Sequence, residues 1–183
     1  MNRLLFALLA WIALGLEVGL RPALRLGTTG IAPSFVIPLA VFIAASAPPR
    51  TALWSCLALG IAVDLLGPAA GSSQVVLGPN ALGYLLAAQL VLALRGVMVR
   101  RNPLSLAFLS VMAAATTGVV VVACYAARGL LIDPIGFAPA PELGTRLLAA
   151  LYTAATGLFM ALVLLPLAPT IGFGTERRFG SRR

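Results

Sequence analysis

The sequence predicts an all-α polytopic membrane protein, a bundle of about six transmembrane helices with both termini cytoplasmic. Composition comes first. Hydrophobic residues fill 61% of the 183 positions and charged residues only 10%, against roughly 45–50% and about 25% in soluble domains. A single soluble core of this size cannot hide so much apolar surface. Long apolar runs come second, since a bilayer-spanning helix needs about 20 such residues. Third, the strict alternation of barrel strands is missing, and open sheets leave backbone groups unpaired in lipid.

The segments follow in order. The first covers residues 4–20. Arg3 before an apolar run looks like a signal peptide, but Glu17 and Arg21 occupy the place of a small-residue cleavage site, so a retained helix is expected. Gly15-x-x-x-Gly19 offers a face for close helix contact. The second segment covers 31–47, with Pro33 suited to a helix start and Pro38 predicting a kink. Ser46-Ala47-Pro48-Pro49-Arg50 reads as a tight turn. The third segment, 51–66, stops at Gly67-Pro68, and an uncharged connector runs over 67–78. The fourth covers 79–98, with Pro79 in its first turn. After Asn102-Pro103 the fifth covers 104–127, and its small residues Ala113-Ala114-Ala115-Thr116-Thr117-Gly118 suit close packing. A loop is expected over 128–145 and the sixth segment over 146–167. No internal repeat stands out. Residues 1–172 form one transmembrane domain, and 173–183 an Arg-rich cytoplasmic tail.

All thirteen basic residues are arginine. Six helices place Arg3, Arg50, Arg95, Arg100, Arg101, Arg177, Arg178, Arg182 and Arg183 on one side, and Arg21, Arg25, Arg128 and Arg146 on the other. The richer side is cytoplasmic by the positive-inside rule. Membrane orientation accounts for the net charge of +8, so nucleic acid is not an expected partner. Arg50, Arg95, Arg100, Arg101, Arg177 and Arg178 are expected to meet cytoplasmic proteins or lipid headgroups.

Little catalytic chemistry is present. There is no histidine, the five acids are scattered, and Cys56 and Cys124 lie in apolar runs as small hydrophobes. No Gly-rich loop joins a strand to a helix. No catalytic residue, metal or cofactor is expected, and a non-enzymatic role follows. The informative residue is Asp64, which stands alone between Arg50 and Arg95 in an apolar run. Burying an unpaired charge is costly. At 1.5 Å per residue Asp64 lies about 20 Å into its segment, in the outer third of the membrane. Glu17 reaches a similar depth and pairs locally with Arg21 four residues on; Arg128 is a further candidate partner. Asp64 is expected to serve as a packing and helix-end device. A partner contact and a transport or ligand site are the other readings. A ligand site draws on few polar groups: Asp64, Gln74, Asn80, Tyr84 and Gln89.

A proline near the start of an apolar segment (Pro33), a short basic turn, Gly60-x-x-x-Asp64-Leu65-Leu66, a connector, and Leu77-Gly78-x-x-Ala81-Leu82 together resemble the rod shape-determining protein MreD family. The connector is longer here than is usual in that family. The resemblance implies a non-enzymatic scaffold of the bacterial inner membrane, acting in rod-shape determination and lateral peptidoglycan synthesis. It also implies partners: MreC, the MreB filament, and the elongation glycosyltransferase and penicillin-binding transpeptidase, alongside membrane lipids. That family is similar in fold to the substrate-binding S-components of energy-coupling-factor transporters. The alternative function is therefore a substrate-binding subunit for a small vitamin-type molecule.

Overall fold

The computed structural model describes residues 3–27, 29–66, 76–96, 102–131 and 138–167. These form six helices and no strand: α1 (Arg3–Gly19), α2 (Val36–Ser46), α3 (Pro49–Leu66), α4 (Pro79–Leu94), α5 (Pro103–Leu131) and α6 (Pro139–Leu167). The expected all-helical fold and helix number are observed. Arg100, Arg101, Arg177, Arg178, Gln74, most of the 67–78 connector and the 173–183 tail lie outside the described residues.

Three helices, α3, α5 and α6, are long and apolar enough to cross a membrane. At 29 residues, α5 and α6 each extend about 43 Å, more than a hydrocarbon core of about 30 Å. Their outward surfaces carry large apolar side chains such as Leu104, Phe108, Leu151, Phe159 and Leu162. On α1, Leu4, Leu8 and Trp11 are likewise exposed.

The short helix α2 is the axis of the bundle. Its 11 residues reach only about 16 Å. It touches α1, α3, α4, α5 and α6, and Val36, Leu39, Val41, Phe42 and Ala44 are each 2% exposed or less. A helix apolar on every side has no face for water and belongs inside.

Helix boundaries differ from the expectation where proline is involved. α2 begins at Val36 rather than residue 31, because Pro33 disfavours helical backbone at Ala32. Pro38 then falls in the first turn, where a missing N–H has no intrahelical partner to lose, and α2 runs unbroken past it. Pro38 is therefore not the interior proline on which the expected kink depends. By the same logic α6 takes Pro139 and Pro141 into its first turn, with Glu142 there favouring the positive helix end. The loop expected over 128–145 is therefore mostly helix: α5 continues to Leu131 and α6 starts at Pro139.

Small residues set the close approaches. A Cβ on Gly60 would lie 2.6 Å from Ala81 Cα and 2.8 Å from the Asn80 carbonyl oxygen. Gly60 thus lets the α4 backbone rest directly on α3. Gly83 of α4 faces Thr117 of α5, and Gly157 of α6 faces Ser110 and Ala107 of α5. Within the run 113–118, Ala113, Ala114, Thr117 and Gly118 are packed inside, as their small size predicts. Gly15 and Gly19 have nothing within 4 Å of such a Cβ, so the first glycine pair makes no close contact.

Gly60→Ala is expected to lower stability by about 1–3 kcal/mol, the usual cost of overpacking a tight core. Gly15→Ala, in open space on a helix, should cause no loss. Thermal unfolding of the two purified variants in detergent checks this; equal midpoints would refute the close α3–α4 contact.

Candidate functional site

The first turn of an α-helix leaves N–H groups without intrahelical partners. Away from water each such group costs about as much as a lost hydrogen bond. The entry to α2 meets this cost with side chains from other helices. Residues 32–35 are buried and non-helical. Glu17, third from the end of α1, inserts among them at 7% exposure. Its Oε2 accepts from Phe35 N at 2.6 Å, Val36 N at 3.3 Å and Ser34 Oγ at 3.1 Å. Ser34 Oγ in turn accepts from Ile37 N. From α6, Thr153 Oγ1 accepts from Ser34 N at 3.2 Å, and Thr156 Oγ1 donates to the Ser34 carbonyl at 2.8 Å. Two other helices, α1 and α6, thus close the start of α2.

Asp64 repeats this arrangement between α3 and α4. It is also third from the end of its helix, and 3% exposed. Its Oδ2 accepts from Gly78 N at 2.9 Å and Ala81 N at 3.2 Å; its Oδ1 accepts from Asn80 N at 3.1 Å and Asn80 Nδ2 at 2.9 Å. Gly78, at φ 125°, supplies the backbone turn that aims these donors at one carboxylate. Both acids therefore sit at the positive N-terminal ends of neighbouring helices, where negative charge is favoured. The opposite pole of α2 is closed too: the Arg95 guanidinium donates to the Ala47 carbonyl at 3.0 Å.

Between these caps lies a polar cleft. Its outer part, about 500 Å³, is lined by Glu17, Arg21, Asp64, Asn80, Tyr125 and Arg146 among others. A narrower part of about 80 Å³ leads on past Glu17, Arg21, Asn80 and Arg146 to Ser34, Tyr84, Thr117 and Thr153. The cleft gathers the C-terminal ends of α1, α3 and α5 and the N-terminal parts of α4 and α6 at one end of the bundle. Arg21 pairs with Glu17 at 3.1 Å, and Arg146 with Glu142 at 2.8 Å. Gly118 gives room for this: a Cβ there would lie 3.2 Å from Arg146 Cβ.

The sequence-predicted residues separate accordingly. Gly60, Asp64, Gly78 and Ala81 come together at one contact. Leu65, Leu66 and Leu82 face outward at 59%, 47% and 49% exposure. The Glu17–Arg21 pair forms, but Glu17 does more than pair locally. Arg128 ends α5 half-buried and does not line the cleft; Arg146 does. Arg50 is exposed in the first turn of α3, whereas Arg95 is half-buried and holds α2. Asn80 and Tyr84 line the cleft, and Gln89 is exposed on α4. Sequence reasoning missed Ser34, Thr153, Thr156 and Arg146. For Arg146 a signal existed: Glu142 and Arg146 repeat the i, i+4 spacing of Glu17 and Arg21. Cys56 and Cys124 are free thiols. Among the described residues no cluster of three or more His, Cys, Asp or Glu is placed to hold a metal. In comparisons with family models, curated proteins and solved structures, the chain matches none.

Glu17→Ala strands the Phe35 and Val36 N–H groups in a buried place, at about 1–3 kcal/mol for each unpaired donor. The same substitution at Asp64 strands Gly78, Asn80 and Ala81. Each is expected to reduce folded protein in the membrane severely, read by yield and by protease resistance after solubilisation. Arg21→Ala, which removes a half-exposed pair, should cost about 1 kcal/mol or less. Equal yields for Glu17→Ala and Arg21→Ala would refute the capping role.

Proposed function

We propose that this chain is a multi-pass protein of the bacterial inner membrane with both termini cytoplasmic, acting as a non-enzymatic scaffold of the MreD type in the cell elongation machinery. One observation carries the reading. The two halves of the motif behind the resemblance, Gly60-x-x-x-Asp64 and Leu77-Gly78-x-x-Ala81-Leu82, meet in a single contact. Positions that match a family pattern separately thus work as one device. The neighbouring Leu65, Leu66 and Leu82 present an apolar surface suited to lipid or to a partner's transmembrane helix, the role the resemblance gives to MreC. Both intramembrane carboxylates are fully engaged as helix caps, which favours a structural role over proton transfer. Cytoplasmic contact with MreB, and assembly with the elongation glycosyltransferase and penicillin-binding transpeptidase, belong to the same proposal.

A second reading, the substrate-binding subunit of a small-molecule transporter, is favoured by the polar cleft of about 500 Å³. Its size falls in the usual range of ligand pockets. Depletion of the protein in its native host separates the two. The scaffold reading expects rods to widen and round, and a tagged chain to retrieve a coiled-coil periplasmic protein and an actin-like protein. Unchanged shape with lost uptake of a vitamin-type molecule would overturn it in favour of transport.

A further inference from the structure

The cleft has hydrogen-bonding capacity that the fold does not use, and most of it is donor capacity. Glu17 and Asp64 border the cleft, yet each already accepts four polar contacts. Backbone N–H groups at the starts of α2 and α4 supply most of these, so the two arginines are not consumed in neutralising the acids. Arg21 gives Glu17 one bond through its Nη1, and Arg146 gives Glu142 one through its Nε. A guanidinium carries five N–H donors in a fixed fork. Both arginines line the outer and the inner parts of the cleft. Deeper in, Thr117 is 5% exposed and its hydroxyl has no hydrogen-bond partner. Buried hydroxyls in a finished core are nearly always bonded, and Thr117 is among the residues that line the inner part of the cleft.

We propose that the cleft is a binding site for a small ligand bearing one phosphate or carboxylate group, held between Arg21 and Arg146, with an oxygen of the ligand reaching Thr117. Planar guanidinium forks match such oxyanions in bidentate geometry. The two carboxylates that line the cleft are engaged at helix starts, which favours an anionic ligand over a cationic one. The volume admits a metabolite-sized molecule or a lipid headgroup, which offer the same chemistry. The site is independent of the scaffold reading, since it rests on the cleft alone.

The test uses the full chain, solubilised in a neutral detergent, and follows its thermal midpoint. The soluble probes are inorganic phosphate, glycerol 3-phosphate and lactate. A second arm compares nanodiscs of phosphatidylglycerol with nanodiscs of phosphatidylcholine. A saturable rise in midpoint is expected in at least one arm. A soluble-probe response identifies a free ligand, and a response confined to phosphatidylglycerol identifies a lipid headgroup. Arg146→Gln should weaken the response about ten-fold or more, and Thr117→Val roughly five-fold. Thr117→Val also tests the orphan hydroxyl directly. Without ligand its midpoint should equal or exceed that of the wild type, because it removes a buried group with nothing to bond. No response in either arm overturns the proposal. So does an undiminished response in either variant, or an unliganded Thr117→Val midpoint below the wild type.

Discussion

A carboxylate near the C-terminal end of one helix closes the N-terminal end of the next, and this bundle depends on that interaction. In apolar surroundings the first N–H groups of a helix have no water to turn to, and each one left open costs about 1–3 kcal/mol. A short helix suffers most, because its open ends are a large share of its backbone. α2 is such a helix, and it is also the axis on which five others pack. Its position is tenable only because Glu17 accepts at one pole and Arg95 donates at the other. The charges follow the helix dipole in sign at both ends.

Capping also explains where polarity sits in the molecule. α2 and α4 begin at the same end of the bundle, so Glu17 and Asp64 must lie there. Arg21 follows Glu17, and Arg146 follows Glu142, as i, i+4 partners on their own helices. The threonines of α6 reach the same place to hold Ser34. Polar groups recruited to finish helices thus accumulate around a common space, and the cleft is the result. Glycine makes the geometry available. Without the close approach at Gly60, the Gly78–Ala81 backbone could not reach Asp64, one helical turn further on.

The sequence carried the fold class plainly, because apolar run length is a local signal and six runs give six helices. Asp64 was legible as a helix-end device, since a lone acid beside a Gly/Pro connector has few other uses. Glu17 was only half legible: its local partner Arg21 is visible by spacing, but its cap partners are 17 to 19 residues away and set by tertiary packing. Arg95 read as a headgroup or partner contact for the same reason, since the carbonyl it serves lies 48 positions earlier. Pro38 was misread through frame. A proline means a kink or a start depending on which residue opens the helix, and that residue was fixed by caps the sequence does not display.

The last turn of α3 ties these features together. Successive residues on a helix point about 100° apart. With Asp64 turned inward to α4, Leu65 and Leu66 must turn outward, and they are exposed. The outward face available to lipid or a partner is therefore fixed by an inward hydrogen-bond set. Asp64 and Leu66 also border the cleft. One rigid helical turn thus touches the neighbouring helix, the polar space and the exterior at once. Whatever fills that space or covers that surface acts on the same few residues, and those residues are the ones that hold α4 in place.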